Sequence, residues 1–164
     1  MKTPVDTVTT TFDSPLGLIR LAASAQGLWG VWFEEHDDSP DASHWAPDPK
    51  HALLQQASHQ LGDYFAGHRH QFDLPLDLST GTPFQQSVWR ALLDIPFGQT
   101  SSYGTVSSAI GKPTAVRAVG GAIGRNPLSI VVPCHRVIGA NGALTGYSGG
   151  MQRKVALLQL EGRL

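Results

Sequence analysis

Ser101-Ser102-Tyr103-Gly104-Thr105-Val106-Ser107-Ser108-Ala109-Ile110-Gly111-Lys112-Pro113-Thr114-Ala115-Val116-Arg117-Ala118-Val119-Gly120-Gly121-Ala122-Ile123-Gly124 is the stretch on which the fold turns. Ser101 or Ser102 can cap a helix running through Val106 to Ile110, and Gly111 stops it. Lys112-Pro113 restarts the chain, with proline near the first turn of a second helix that carries Ala115, Val116, Ala118 and Val119. Two short helices joined by a tight glycine-containing turn form a helix-turn-helix or an ordinary αα corner. The second helix thins into Gly120-Gly121-Ala122-Ile123-Gly124. Each glycine there costs a helix about 1 kcal/mol relative to alanine, and a face so bare lets another backbone approach closely. Arg117 is its one long cationic side chain.

Charge decides which partner such a unit suits. Residues 1–84 hold four basic and eleven acidic side chains, a net of −7, whereas residues 85–164 hold eight and two, a net of +6. A basic second half carrying two such helices points to a polyanion, although the halves could also simply attract each other.

Working outward, Thr82-Pro83-Phe84-Gln85 has the capping threonine, early proline and third-position glutamine of a helix start. Phe84, Val88, Trp89, Leu92 and Leu93 form its expected buried stripe, and Ile95-Pro96-Phe97-Gly98 ends it. The first half reads as a small α/β unit. Its expected strands are Thr7–Phe12, Leu18–Ala22 and Leu28–Phe33, with a turn at Ser14-Pro15-Leu16-Gly17. An acidic, proline-bearing loop is expected over residues 34–50. A helix over His51–Phe65 then carries Leu53, Leu54, Ala57, Leu61, Tyr64 and Phe65, and Gly67 ends it. These signals divide the chain into domains at 1–81 and 82–164.

With 164 residues, 41% hydrophobic and 15% charged, the composition is that of a globular protein. No apolar run is long enough for a bilayer, and Met1–Asp6 lacks the apolar core of a signal peptide, so a cytoplasmic protein is expected. One cysteine excludes an internal disulfide and a multi-cysteine zinc site. His36, His44, His51, His59, His68 and His70 lie in polar segments. Only His68 and His70 are close enough in sequence to suggest a shared metal, and no acidic or thiol framework surrounds them. No metal is expected.

Beyond Asn126-Pro127 comes an apolar run, Ile130-Val131-Val132, expected as a short strand, and then Pro133-Cys134-His135-Arg136-Val137-Ile138. A lone cysteine is commonly a small buried hydrophobe. Here His135 and Arg136 supply positive potential and a proton acceptor, which favour thiolate. Neighbours on a strand point to opposite faces, so Cys134 and His135 can cooperate only on a turn or through a bridging water. Glu161, after a helix expected over Met151–Leu160, either orients His135 in a nucleophile–base–orienter array or pairs at the surface with Arg153 or Arg163.

The segment Pro133–Ile138 resembles the active-site signature of the O6-alkylguanine-DNA alkyltransferases. Ile95-Pro96-Phe97-Gly98, Ser102-Tyr103, Arg117-Ala118-Val119-Gly120-Gly121-Ala122, Asn126-Pro127 and Tyr147-Ser148-Gly149-Gly150 follow that family's pattern in its order, across nearly all of Thr82–Gly162. The first half fits more weakly. The resemblance implies an α+β chain: a ribonuclease-H-like α/β domain, then a mostly helical domain with a helix-turn-helix and the cysteine loop. It also implies DNA repair by irreversible, once-only transfer of the alkyl group from O6-alkylguanine to Cys134, with O4-alkylthymine as a second candidate substrate.

By the same resemblance His135 acts as base through a water, Glu161 orients it and Asn126 holds the turn. The Tyr103 hydroxyl and Ser148 backbone bond the base, the Cys134 and Val137 carbonyls face its amine, and Tyr147 supports the Ser148 loop. Arg117 fills the gap left by a flipped nucleotide while Tyr103 crowds its phosphate, and Ala118, Gly120, Gly121 and Ala122 lie against the DNA backbone. No cofactor is implied. The expected partner is double-stranded DNA carrying O6-alkylguanine, bound by a monomer, with cooperative binding left open. Three rivals stand beside this: a lesion-binding sensor without transfer, a thiol hydrolase, and a transcription factor.

Overall fold

The computed structural model describes residues 2–34 and 39–164. Three antiparallel strands come first: β1 (Val8–Ser14), β2 (Gly17–Ser24) and β3 (Gly27–Phe33). Ser14 pairs with Gly17 across the expected turn, and the Ser14 hydroxyl closes it by donating to the Gly17 carbonyl at 2.6 Å. A two-residue strand, β4 (Ala46–Pro47), joins parallel to β1, giving the order β3-β2-β1-β4.

Part of the segment expected as a loop over 34–50 is therefore sheet. Trp45 packs edge-on against Trp29 and tilted against Trp32, so burial of indole anchors this otherwise polar stretch. Glu35, His36, Asp37 and Asp38, included in the loop and histidine readings, lie outside the described residues.

Helix α1 (Ala52–Phe65) buries Leu54, Ala57, Leu61 and Tyr64 on one face, and Gly67 follows it at φ +80°. The connection after α1 runs along β3. The Leu28 amide donates to Pro75 and the Asp77 amide to Leu28, both at 2.8 Å. Farther along β3, the Val31 amide donates to Pro127 at 2.8 Å and the Ser129 amide to Val31 at 3.0 Å. The edge of β3 is thus covered by chain from both halves, and one apolar core runs from Ile19 and Leu61 to Val119 and Leu157.

Helix α2 (Pro83–Leu92) opens on a complete capping box: Thr82 accepts from the Gln85 amide, and the Gln85 side chain accepts from the Thr82 amide. Val88, Trp89 and Leu92 are buried as expected; Leu93 is not, being 42% exposed just beyond the last turn. Helix α3 (Tyr103–Ala109) is capped by Ser102, whose hydroxyl accepts from the Thr105 amide at 3.1 Å, and Gly111 takes φ +74° after it. Ser107 Oγ donates to the Lys112 carbonyl and ties the turn.

Helix α4 (Val116–Gly124) starts three residues after Pro113, which stays in the connecting turn rather than in the first helical turn. A two-residue parallel pair, β5 (Ser101–Ser102) with β6 (Val137–Ile138), brings the start of α3 beside the cysteine segment. Helix α5 (Met151–Leu160) closes the fold.

The expected strand at Ile130–Val132 does not form. Leu128 makes a single bridge to Val31, and the chain then folds back: Val131 donates to Ser129 and Val132 to Leu128. Ile130 takes φ +72°, the one left-handed non-glycine residue among those described. For a β-branched side chain this conformation is strained, costing about 1–3 kcal/mol. The apolar run signals burial here, not extension: Ile130, Val131 and Val132 all lie in the core.

Candidate active site

Asn126 follows the end of α4 and anchors the turn that leads to the cysteine. Its amide nitrogen donates to the Val132 carbonyl at 2.8 Å, while its oxygen accepts from the Leu128 amide at 3.0 Å. Buried backbone groups of a non-repetitive segment need such partners. The chain then enters a 3-10 turn, Cys134–Arg136. The alternating strand geometry that would separate Cys134 from His135 is therefore absent.

His135 is fully buried, and its Nε2 lies 2.7 Å from Glu161 Oε2. Glu161 caps α5 and is buried; it pairs with neither Arg153 nor Arg163. Its carboxylate instead accepts from Arg136 Nε at 2.8 Å, from Arg136 Nη2 at 3.0 Å and from the Tyr64 hydroxyl at 2.6 Å. Arg136 also donates to the Ile95 carbonyl. Burial alone would raise the Glu161 pKa, but the bonds from His135, Arg136 and Tyr64 hold it at about 2. Burial lowers the His135 pKa, against the pull of Glu161, so its ring is neutral at neutral pH; its Nδ1 is buried without a partner.

Cys134 is 6% exposed and lines a cavity of about 430 Å³ with Tyr103, Gly120, Ile123, Gly124, Thr145, Gly146, Tyr147 and Ser148. Burial raises the thiol pKa, opposed by the Asn126 amide and the Lys154 charge. In the free protein the thiol keeps its proton. Lys154 is buried and donates to the Val137 carbonyl at 2.7 Å and the Thr145 carbonyl at 3.2 Å, bracing the loop over the cavity. Across the cavity the Tyr103 and Thr145 hydroxyls lie 2.6 Å apart. Tyr147 is a wall residue whose hydroxyl is pushed well up by burial.

The structure brings Cys134, His135, Glu161, Asn126, Tyr103, Tyr147 and Ser148 to one centre. Val137 is buried beside them, its carbonyl taken by Lys154 and its amide bonded to the Cys134 carbonyl. On α4, Arg117, Ala118, Gly121 and Gly124 are exposed, and Gly120 faces the Tyr103 ring. Ala122 points the other way: it is 4% exposed and its carbonyl accepts from the Trp89 indole at 2.9 Å. It therefore packs in the core rather than on the bare face.

Tyr64 and Lys154 were not legible as site residues. Each sits on a helix whose pattern marks it only as a core or amphipathic position. Among the described residues no group of three or more His, Cys, Asp and Glu could hold a metal, and His70 stacks on Phe97 at 4.0 Å. No helix among them is long and apolar enough to cross a membrane.

Comparison with known proteins gives one consistent result. Residues 83–163 match the DNA-binding domain, and residues 7–78 the ribonuclease-like domain, of 6-O-methylguanine DNA methyltransferase. The methylated-DNA–protein-cysteine methyltransferase of Mycobacterium tuberculosis is 53% identical over 151 residues, covering 92% of this chain and 90% of that protein. The constitutive methyltransferase of that name from Bacillus subtilis is 44% identical, with 93% of each chain covered. Mycobacterium tuberculosis OGT in complex with DNA superimposes with a TM-score of 0.86 at 51% identity, over 94% of this chain and 92% of that one.

Proposed function

Since the chain belongs to the 6-O-methylguanine DNA methyltransferase family across both of its halves, we propose that Cys134 is the acceptor of the alkyl group it removes from O6-alkylguanine in DNA. The observation that carries this reading is the buried array ending at the cavity. Cys134 opens onto the space, His135 follows it in the same turn, and the Glu161 carboxylate holds His135 Nε2 at 2.7 Å.

In this mechanism the neutral His135 takes the thiol proton at Nδ1 through a bridging water, and Glu161 stabilises the imidazolium that forms. The sulfur attacks the alkyl carbon; the S–C bond forms as the C–O6 bond breaks. A proton from the Tyr103 hydroxyl lets guanine leave neutral, and the phenolate so formed recovers a proton from the His135 imidazolium through water, so that the thiol proton ends on guanine. The thioether has no second cysteine to exchange with, and an S–C bond does not exchange as a disulfide does, so each molecule acts once.

Duplex DNA would meet the bare face of α4, where Arg117 takes the place of a flipped nucleotide and Ala118 and Gly121 admit the backbone. Residues 82–164 then carry recognition and chemistry, and residues 1–81 brace them. The protein acts as a monomer in the cytoplasm.

The test is intact-mass spectrometry after mixing with a duplex that carries one O6-methylguanine. One added methyl per protein, mapped to the Cys134 peptide, is the expected result. Tight lesion binding without a mass gain would replace transfer by lesion sensing; turnover of an ester would replace it by hydrolysis.

A further inference from the structure

The geometry points to Tyr64, a residue of the first half of the chain, as a positioning residue that sets the basicity of His135 through the carboxylate oxygen they share. This deepens the alkyl-transfer reading above and rests on it.

The argument begins with Glu161 Oε2. It accepts from three donors: the Tyr64 hydroxyl at 2.6 Å, His135 Nε2 at 2.7 Å and Arg136 Nη2 at 3.0 Å. Oε1 is occupied by Arg136 Nε at 2.8 Å. Arg136 neutralises the carboxylate as a whole, whereas Tyr64 acts on the one oxygen that faces the imidazole. A short bond to that oxygen withdraws charge from it and makes it a weaker partner for a protonated His135.

Tyr64 is fixed for this task. Its ring is fully buried on α1 between Phe65, Phe72 and Phe97. Burial and the Glu161 charge push its pKa far up, so it stays a donor throughout the working pH range. A packing role alone needs no hydroxyl at this place, since phenylalanine would fill the same space.

The groups facing this centre from every packed element are few. They are Tyr64 from α1, Cys134, His135 and Arg136 from the 3-10 turn, Tyr147 from the cavity loop, Lys154 from α5 and Glu161 at its end. Arg136 and Lys154 disfavour a charged imidazole, and Glu161 favours it. Tyr64 moderates Glu161. Removing the hydroxyl strengthens the carboxylate's hold on the imidazolium and raises the pKa of His135. Since His135 must be neutral to accept the thiol proton, the acid limb of the transfer rate follows that pKa.

The experiment compares wild type, Tyr64→Phe, and a protein with 3-fluorotyrosine incorporated site-specifically at position 64. The fluorinated ring is nearly the same size and a stronger donor, so its packing is preserved. Two readouts are taken: the pH profile of single-turnover methyl transfer from an O6-methylguanine duplex, and the titration of the His135 ring followed by 15N NMR on free protein, assigned by difference from His135→Gln. With Tyr64→Phe both move to higher pH by about one unit, a roughly tenfold loss of rate at a fixed pH on the acid limb. With fluorotyrosine both move to lower pH. Unmoved profiles with a lowered melting temperature in Tyr64→Phe would overturn the proposal and leave Tyr64 a structural brace. A wild-type protein that takes up no methyl group, while its His135 titration still follows the substitutions, would support the Tyr64 linkage and sink the transfer reading instead.

Discussion

Around Cys134 the chain uses five buried polar side chains, Asn126, His135, Arg136, Lys154 and Glu161, to fix one turn and the loop above it. On the outer face of α4, earlier in the sequence, it has removed almost everything: Ala118, Gly121 and Gly124 leave open space between the exposed Arg117 and Arg125. The first region gives up solvent to hold a few atoms in place, because proton transfer tolerates little misplacement. The second gives up helix stability to leave room for a partner. The proposed chemistry thus sits where the protein is most constrained, and the proposed contact with DNA where it is least filled.

Four substitutions test that division. The largest effect is expected for Cys134→Ala, which abolishes the methyl mass gain while leaving affinity for the lesion duplex within about twofold; loss of both would make the cysteine a structural element of the DNA site. Glu161→Gln comes next. It leaves Arg136 buried without its counter-ion, a loss of about 3 kcal/mol in urea unfolding at neutral pH, and slows transfer on the order of a hundredfold.

The same group predicts a pH signature. Glu161 has a folded pKa depressed to about 2, so its stabilisation is complete above the ordinary value of 4.5 and is lost as pH falls toward 2. Wild type should lose on the order of 3 kcal/mol more than Glu161→Gln across that window in acid-titrated unfolding. Parallel acid limbs would show that Glu161 is not the group responsible.

Arg117→Ala acts on the bare face alone. Repair in duplex DNA is expected to fall about tenfold, with reaction toward the free modified base unchanged. Equal losses on both substrates would place Arg117 in the chemistry and break the comparison. The smallest effect sharpens it most: Gly121→Ala, whose added carbon meets nothing within 4 Å, should raise stability by about 0.5–1 kcal/mol and still weaken duplex binding a few-fold. Measured binding that rises with stability would mean the bare face is not the docking face.

Local rules in the sequence located most of the elements. The Thr82 capping box, the Ser102 cap and Gly111 each act within four residues, so their signals survive without the fold. Where they failed, a contact distant in sequence had won. Trp45 turned part of an acidic loop into an edge strand by packing on Trp29 and Trp32. Ile130-Val131-Val132 kept the composition of a strand and became a strained buried turn, because the Val131 and Val132 amides bond back to Ser129 and Leu128 and Asn126 takes the Val132 carbonyl. Leu93 differs for a simpler reason: helical periodicity fixes a face only to within about one residue at a helix end. Ala122, set on the DNA face by the resemblance, is turned into the core by the helix.

Residue types at short spacings were enough for the family, the pair of helices α3 and α4 and the charge split, and they singled out Cys134 as the proposed acceptor. Packing placed Glu161 against His135 rather than the surface arginines, buried Lys154 under the cavity loop, and brought Tyr64 to the carboxylate of Glu161 across 97 positions of chain. Such pairings depend on how helices and turns pack. The physical cause is that a buried charge must find partners wherever the fold brings them, and no spacing in the chain records which ones those are.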